Sequence, residues 1–170
     1  MSDFLTTALD EERYDEALPL VRMAIPGLDR ERWRAHCRQM ARQGGGALAA
    51  AADGALHGIA SWHPDEDLRL GRVLRVEMIV ALELSGANPV RAALCETLEA
   101  LCVAHDAVGI ALSLPVRDGA PSSFPESWQR AGFRQQALLL GKPVRPGRRW
   151  PAPPSGGSHL RLVQAPDPPE

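Results

Sequence analysis

The stretch VLRVEMIVAL, Val73 to Leu82, constrains this chain more than any other. It alternates at first and becomes continuously apolar at MIVAL, the pattern of a strand buried on both faces. A strand of that kind needs packing layers above and below it. It stops at a short polar loop, and an amphipathic helix then starts abruptly, with Asn88 as cap and Pro89 as first helical residue. Leu94, Leu98, Leu101 and Cys102 form the buried stripe of that helix.

The flanking segments complete an α/β order. Asp10 reads as the cap of a first helix, which Pro19 kinks or splits, and Asp29 caps a second with Trp33, Cys37 and Met40 on one side. GGG at 44–46 ends it. ALAAAADGALHGIASW is a hairpin about Asp53-Gly54. PDED then reads as a solvated loop, and LRLGRVLRVEMIVAL as the long strand. VGIALSLPV is a further apolar strand, ESWQRAG a short helix stopped by Gly132, and FRQQALLLGKPV a final strand. The prediction is a mixed sheet between helices. Beyond about residue 144 the Pro/Gly-rich composition predicts a flexible tail at 145–170.

At 170 residues, 45% hydrophobic and 24% charged, the chain is long enough for one domain with a core. A net charge of -2 gives no pull toward nucleic acid or anionic membrane. No apolar run reaches the ~18 residues of a membrane span, and the acidic start lacks the features of a signal peptide, so the expectation is a cytoplasmic protein. Three cysteines without ligand spacing predict neither a disulfide framework nor a metal site: Cys95 and Cys102 read as core, and Cys37 beside His36 does not form a nucleophilic pair. His63 with Asp65, Glu66 and Asp67 reads as a solvated turn rather than a metal site.

Together, ADGALHGIASW, MIVAL, SGANPVRAAL and SWQRAGF, in that order, resemble the GNAT N-acetyltransferase superfamily over residues 3–144. The resemblance implies a GNAT-like mixed, mostly antiparallel sheet flanked by helices on both faces. It also implies transfer of an acetyl or longer acyl group from acyl-CoA to an amine on a small molecule or protein. Unpaired amides at a helix start hold a diphosphate well. The family pattern there, Arg/Gln-x-x-Gly-x-Gly/Ala, meets Ser85, Asn88 and Val90, all departures, and Pro89 has no N–H to give. Ser85, Gly86, Ala87, Asn88 and Val90, with the charge of Arg91 and the strand edge at Val80 and Leu82, are the expected cofactor contacts.

Glu77 in the long strand is the expected base, against a plainer role as an outward carboxylate paired with Arg75 or Arg69. Trp128 stands where the family places an acidic tyrosine; its indole can donate a hydrogen bond but gives up no proton near neutrality. Tyr14, the only tyrosine, has at most a role toward substrate, and Trp62 packs or lines a substrate groove. The altered loop leaves a second reading open, a non-catalytic GNAT-fold binding or regulatory module. An apolar strand edge near the C-terminus would suit a homodimer.

Overall fold

The computed structural model describes residues 4–82, 89–114 and 126–135. The chain forms two compact units, Met1–Leu114 and Pro115–Glu170. The first holds β1 (Leu5–Ala8), α1 (Tyr14–Ala24), α2 (Arg30–Arg42), β2 (Gly46–Ala52), β3 (Ala55–Asp67), β4 (Gly71–Ala81), α3 (Pro89–Ala104) and β5 (Ile110–Leu112). Its strands lie in the order β1-β2-β3-β4-β5. The first three pairings are antiparallel, and only β4 with β5 is parallel. The second unit contributes α4 (Glu126–Arg130). The expected tail boundary and most of the final strand lie outside the described residues.

Strand alternation sorts the sheet's side chains onto two cores. Ala47, Ala49 and Ile59 meet Ala17, Val21, Trp33 and Cys37 of α1 and α2. Leu48, Ala50, Ala60, Trp62, Leu74 and Val76 meet Val90, Leu94, Leu98 and Cys102 of α3. Both faces are therefore covered, as the long apolar strand requires. The alanines of β2 have little intrinsic preference for strand, but small side chains let helices close over both faces. Buried Trp33 carries its indole N–H to the Tyr14 carbonyl at 2.7 Å, which joins α2 to α1 without leaving a polar atom unpaired.

The turns follow the local chemistry. Asp53 and Gly54 take φ of 52° and 77°, the left-handed pair that a two-residue hairpin needs. Asp29 accepts the Arg32 amide at 2.7 Å as a helix cap. Asp10 makes no capping bond and precedes a 3-10 turn, Glu11–Arg13. Pro19 lies inside α1 without splitting it, because Leu18, Leu20 and Val21 anchor the helix on both sides of the missing amide.

Two expectations about the middle of the chain are corrected. PDED is strand: β3 runs on through Asp67, with Pro64 opposite Leu74 and Asp67 opposite Gly71. Past Trp62 this strand has left β2 behind, so it pairs on one side only and a proline is tolerated. Its acids hold arginines, Arg75 reaching both Asp65 and Asp67 and Arg72 reaching Glu66. The turn falls instead at 68–70, an arginine between two exposed leucines, and β4 starts at Gly71.

Candidate functional site

β4 and β5 stay together for three residue pairs and then part. Leu74, Arg75 and Val76 face Ile110, Ala111 and Leu112, and the Ser113 amide donates to the Val76 carbonyl at 3.2 Å. Beyond that point no described strand pairs with β4 on this side. Leu82 donates to the His57 carbonyl at 2.8 Å, toward β3. Ladder alternation consequently turns the amides of Ile79 and Ala81 the other way, onto the open edge. Val80 and Leu82, the expected edge contacts, instead turn their amides toward β3 and pack their side chains against the α1/α2 core.

At the fork lies a bulge. Ser61 pairs with Met78 and Trp62 with Val76, so Glu77 is the extra residue of β4. A bulge re-aims a side chain, and here the Glu77 carboxylate comes to the α1/α2 side of the sheet. Its Oε1 lies 3.4 Å from His63 Nε2, with the Glu77 side chain 36% exposed and His63 largely buried. Arg75 is held by Asp65 and Asp67. The expected alternative, Glu77 paired with Arg75 or Arg69, is replaced by contact with a histidine.

That histidine belongs to a polar group set into an apolar face. Ser61, fully buried and two residues before His63 on β3, shares a 2.9 Å hydrogen bond with His36 Nε2 from α2. His36 stacks on Trp33 with ring centroids 5.8 Å apart. Burial holds the His36 imidazole below its usual proton affinity, against the attraction of the Glu77 charge. His36, Ser61 and His63 were missed as a group because they come from two elements. The signal available was Ser61 and His63 two apart, hence on one face of a strand.

Of the helix-start residues, Ser85, Gly86, Ala87 and Asn88 lie outside the described residues. Pro89 opens α3. Val90 is buried above Gly58, where an added Cβ would come within 2.5 Å of Val90 Cγ1. Its side chain thus seals the helix onto the sheet. Arg91 is half-buried on the first turn.

In the second unit, Trp128 is buried, and its ring meets Phe133 edge-on at 5.2 Å. Gly132, at φ 87°, donates to Gln129, and Phe133 donates to Trp128. These two bonds and the ring contact make a Schellman helix end.

The other candidates resolve as packing. Tyr14 is buried under α2, and Trp62 lies in the α3-side core against the His105 ring rather than in a groove. Cys37 and Cys102 are buried, whereas Cys95 is only half-buried. Burial pushes the Cys37 thiol up to about 12, which keeps it inert beside His36. Among the described residues no group of three or more His, Cys, Asp or Glu could hold a metal. None of the described helices is long and apolar enough to cross a membrane.

No family model and no curated protein sequence matches the chain. Solved structures do. An aminoglycoside N-acetyltransferase, AAC(6')-Iy in complex with CoA, matches with a TM-score of 0.67 and 16% identity over 85% of this chain and 97% of its own. A Trypanosoma brucei acetyltransferase matches at 0.61 and 18% identity, over 84% and 100%. The ribosomal-protein-alanine N-acetyltransferase of Brucella melitensis biovar Abortus matches at 0.60 and 19% identity, over 85% and 99%. With five described strands in a mixed sheet, covered faces and parted β4 and β5, this chain has the fold of the GNAT acetyltransferases.

Proposed function

We propose that the protein is an N-acyltransferase that moves an acetyl or acyl group from acyl-CoA to an amine. The observation that carries this reading is the fork: a half-buried strand end whose outward amides at Ile79 and Ala81 have no described strand beside them, with a bulged carboxylate at its head. Such an edge fits an extended amide-bearing arm, which would pair with it as a further strand would. Ser85, Gly86, Ala87, Asn88 and Val90 would offer backbone amides to the diphosphate, and Arg91 its charge. Acyl-CoA, when bound, supplies a thioester from which the acyl group passes to nitrogen.

Glu77 is the base of this reading. An alkylamine is protonated at neutral pH and cannot attack until one proton leaves. A carboxylate at the fork, turned out of the ladder by the bulge, would take it. Trp128 serves as a hydrogen-bond donor or as packing for the acyl group, since an indole yields no proton. Nucleophile and leaving group balance: nitrogen bonds to the carbonyl carbon, the carbon–sulfur bond breaks, and the thiolate leaves with a proton that nitrogen gives up.

The acceptor is an amine on a small molecule or a protein. The similar structures are named for an aminoglycoside and for ribosomal-protein alanine, which spans that range. Residues 1–144 form the catalytic domain, 145–170 its tail, and the three free cysteines suit a reducing cytoplasm.

Calorimetric titration with acetyl-CoA and longer acyl-CoAs, CoA serving as control, tests the reading. Micromolar binding, with a raised melting temperature, is expected. Failure to bind at millimolar ligand favours the second reading, a binding or regulatory module on the same fold, for which the departures at Ser85, Asn88 and Val90 speak.

A further inference from the structure

His63 Nδ1 lies 3.0 Å from the Pro64 carbonyl oxygen. A carbonyl can only accept, so Nδ1 carries the hydrogen and donates it. The neutral ring then presents a bare lone pair at Nε2, and that lone pair faces Glu77 Oε1 at 3.4 Å. Two acceptors facing each other leave a place for one proton between them. The reading of Glu77 as base does not use this place.

We propose that His63 is the positioning residue that receives the proton Glu77 removes from a primary alkylammonium acceptor. This inference rests on the acyltransferase reading above. The acceptor arrives as an ammonium ion. Glu77 takes one N–H proton, leaving a neutral amine with a free electron pair, and passes that proton to His63 Nε2. The ammonium charge ends on the imidazolium, Glu77 is again a carboxylate, and nothing is oxidised or reduced. The proton leaves to solvent after the product does.

The surroundings favour His63 as the holder. From β4, Glu77 faces it as the anion, and Arg75, directly opposite in register, is tied to Asp65 and Asp67. Asp65 lies beyond it on β3 and is committed to Arg75. From α2, His36 is turned to Ser61. Burial lowers the proton affinity of His36, which keeps it from competing for the same proton. His63 itself is largely buried, so it acts through the half-exposed carboxylate and not on the acceptor.

Wild type, H63Q and E77Q are compared in two ways. Long-range nitrogen NMR of the histidine rings across pH should show neutral His63 with its hydrogen on Nδ1. In E77Q the Nε2 resonance of neutral His63 should move, because the substituted amide donates an N–H to the lone pair that the carboxylate leaves bare. Steady-state transfer from acetyl-CoA to a panel of primary alkylamines should show H63Q losing about 10–100-fold in kcat/KM at about pH 7. That loss should shrink toward about pH 9.5, where more of the amine arrives already deprotonated. Calorimetric acetyl-CoA affinity should be unchanged in H63Q.

A hydrogen on Nε2, an unmoved Nε2 resonance in E77Q, or a loss in H63Q that is equal at every pH overturns the proposal. The NMR tautomer is read on wild type, so a poorly folding variant does not shield it. If acetyl-CoA does not bind wild type, the acyltransferase reading falls and this role with it. If it binds and transfers while H63Q tracks wild type, only the role of His63 falls.

Discussion

Glu77 holds its position by surplus. Because Trp62 and Ser61 pair with Val76 and Met78, the residue between them has no partner of its own and its carboxylate is free to turn toward His63. E77Q keeps the shape and removes the base, so transfer near neutral pH should fall about 100-fold or more while acetyl-CoA affinity stays within about twofold. Kinetics paired with calorimetry check both halves. Cys37 makes a contrasting residue-scale case. With its thiol pushed up to about 12 by burial, it should resist iodoacetamide in the folded protein and react only after denaturation, as mass spectrometry of the modified peptides would show. Reading such residues from sequence by spacing worked for Leu94, Leu98 and Cys102 of α3, but Leu101 and Cys95, read as core on the same ground, are only half-buried. It failed at His63, because its neighbours Pro64, Asp65, Glu66 and Asp67 carry every local mark of a loop. Those acids are strand residues because β4 pairs with them and brings Arg72 and Arg75 opposite, and that pairing is a tertiary fact.

Between elements, the close approach of α3 to the sheet depends on Gly58. An added Cβ there would meet Val90 Cγ1 at 2.5 Å and Leu94 Cδ1 at 3.0 Å. Gly58→Ala should therefore destabilise by about 1–3 kcal/mol, through displacement of a helix start that is also the expected anion site. Urea melts of G58A, V90A and the double variant test this. V90A removes the obstructing methyls, so the double variant should lose less than the sum of the two single changes. The helices themselves were legible, Asp29 and Gly132 marking a start and a stop by local chemistry. The β2–β3 turn was legible for the same reason. The length of β3 and the point where β5 leaves β4 were not, since both depend on partners far away in sequence.

Across the whole molecule, surface carboxylates are tied to arginines: Asp15 to Arg34, and Asp65 and Asp67 to Arg75. The Arg34 and Arg75 guanidiniums hold Asp15 and Asp65 below the ordinary 3.8 of an aspartate, and two backbone amides lead the same effect at Asp67. A carboxylate lowered in the folded state stabilises it fully above the unfolded value, and loses that contribution as pH falls through the folded value. Stability should thus be level near neutrality and decline below about pH 4. D65N should start lower at neutral pH and decline less steeply in acid, which denaturant melts at several pH values would reveal. At this scale the sequence was most readable, because a doubly buried strand between amphipathic helices admits few architectures.

The surplus in β4 has a consequence for how chemistry could be separated from architecture. Excising Glu77 would bring Val76 directly before Met78 and give the two strands an unbroken one-to-one ladder against Trp62 and Ser61. Every other side chain of β4 would keep the face it has now. The scaffold needs one residue fewer than the chain contains, and the residue it could spare is the one on which the proposed reaction turns.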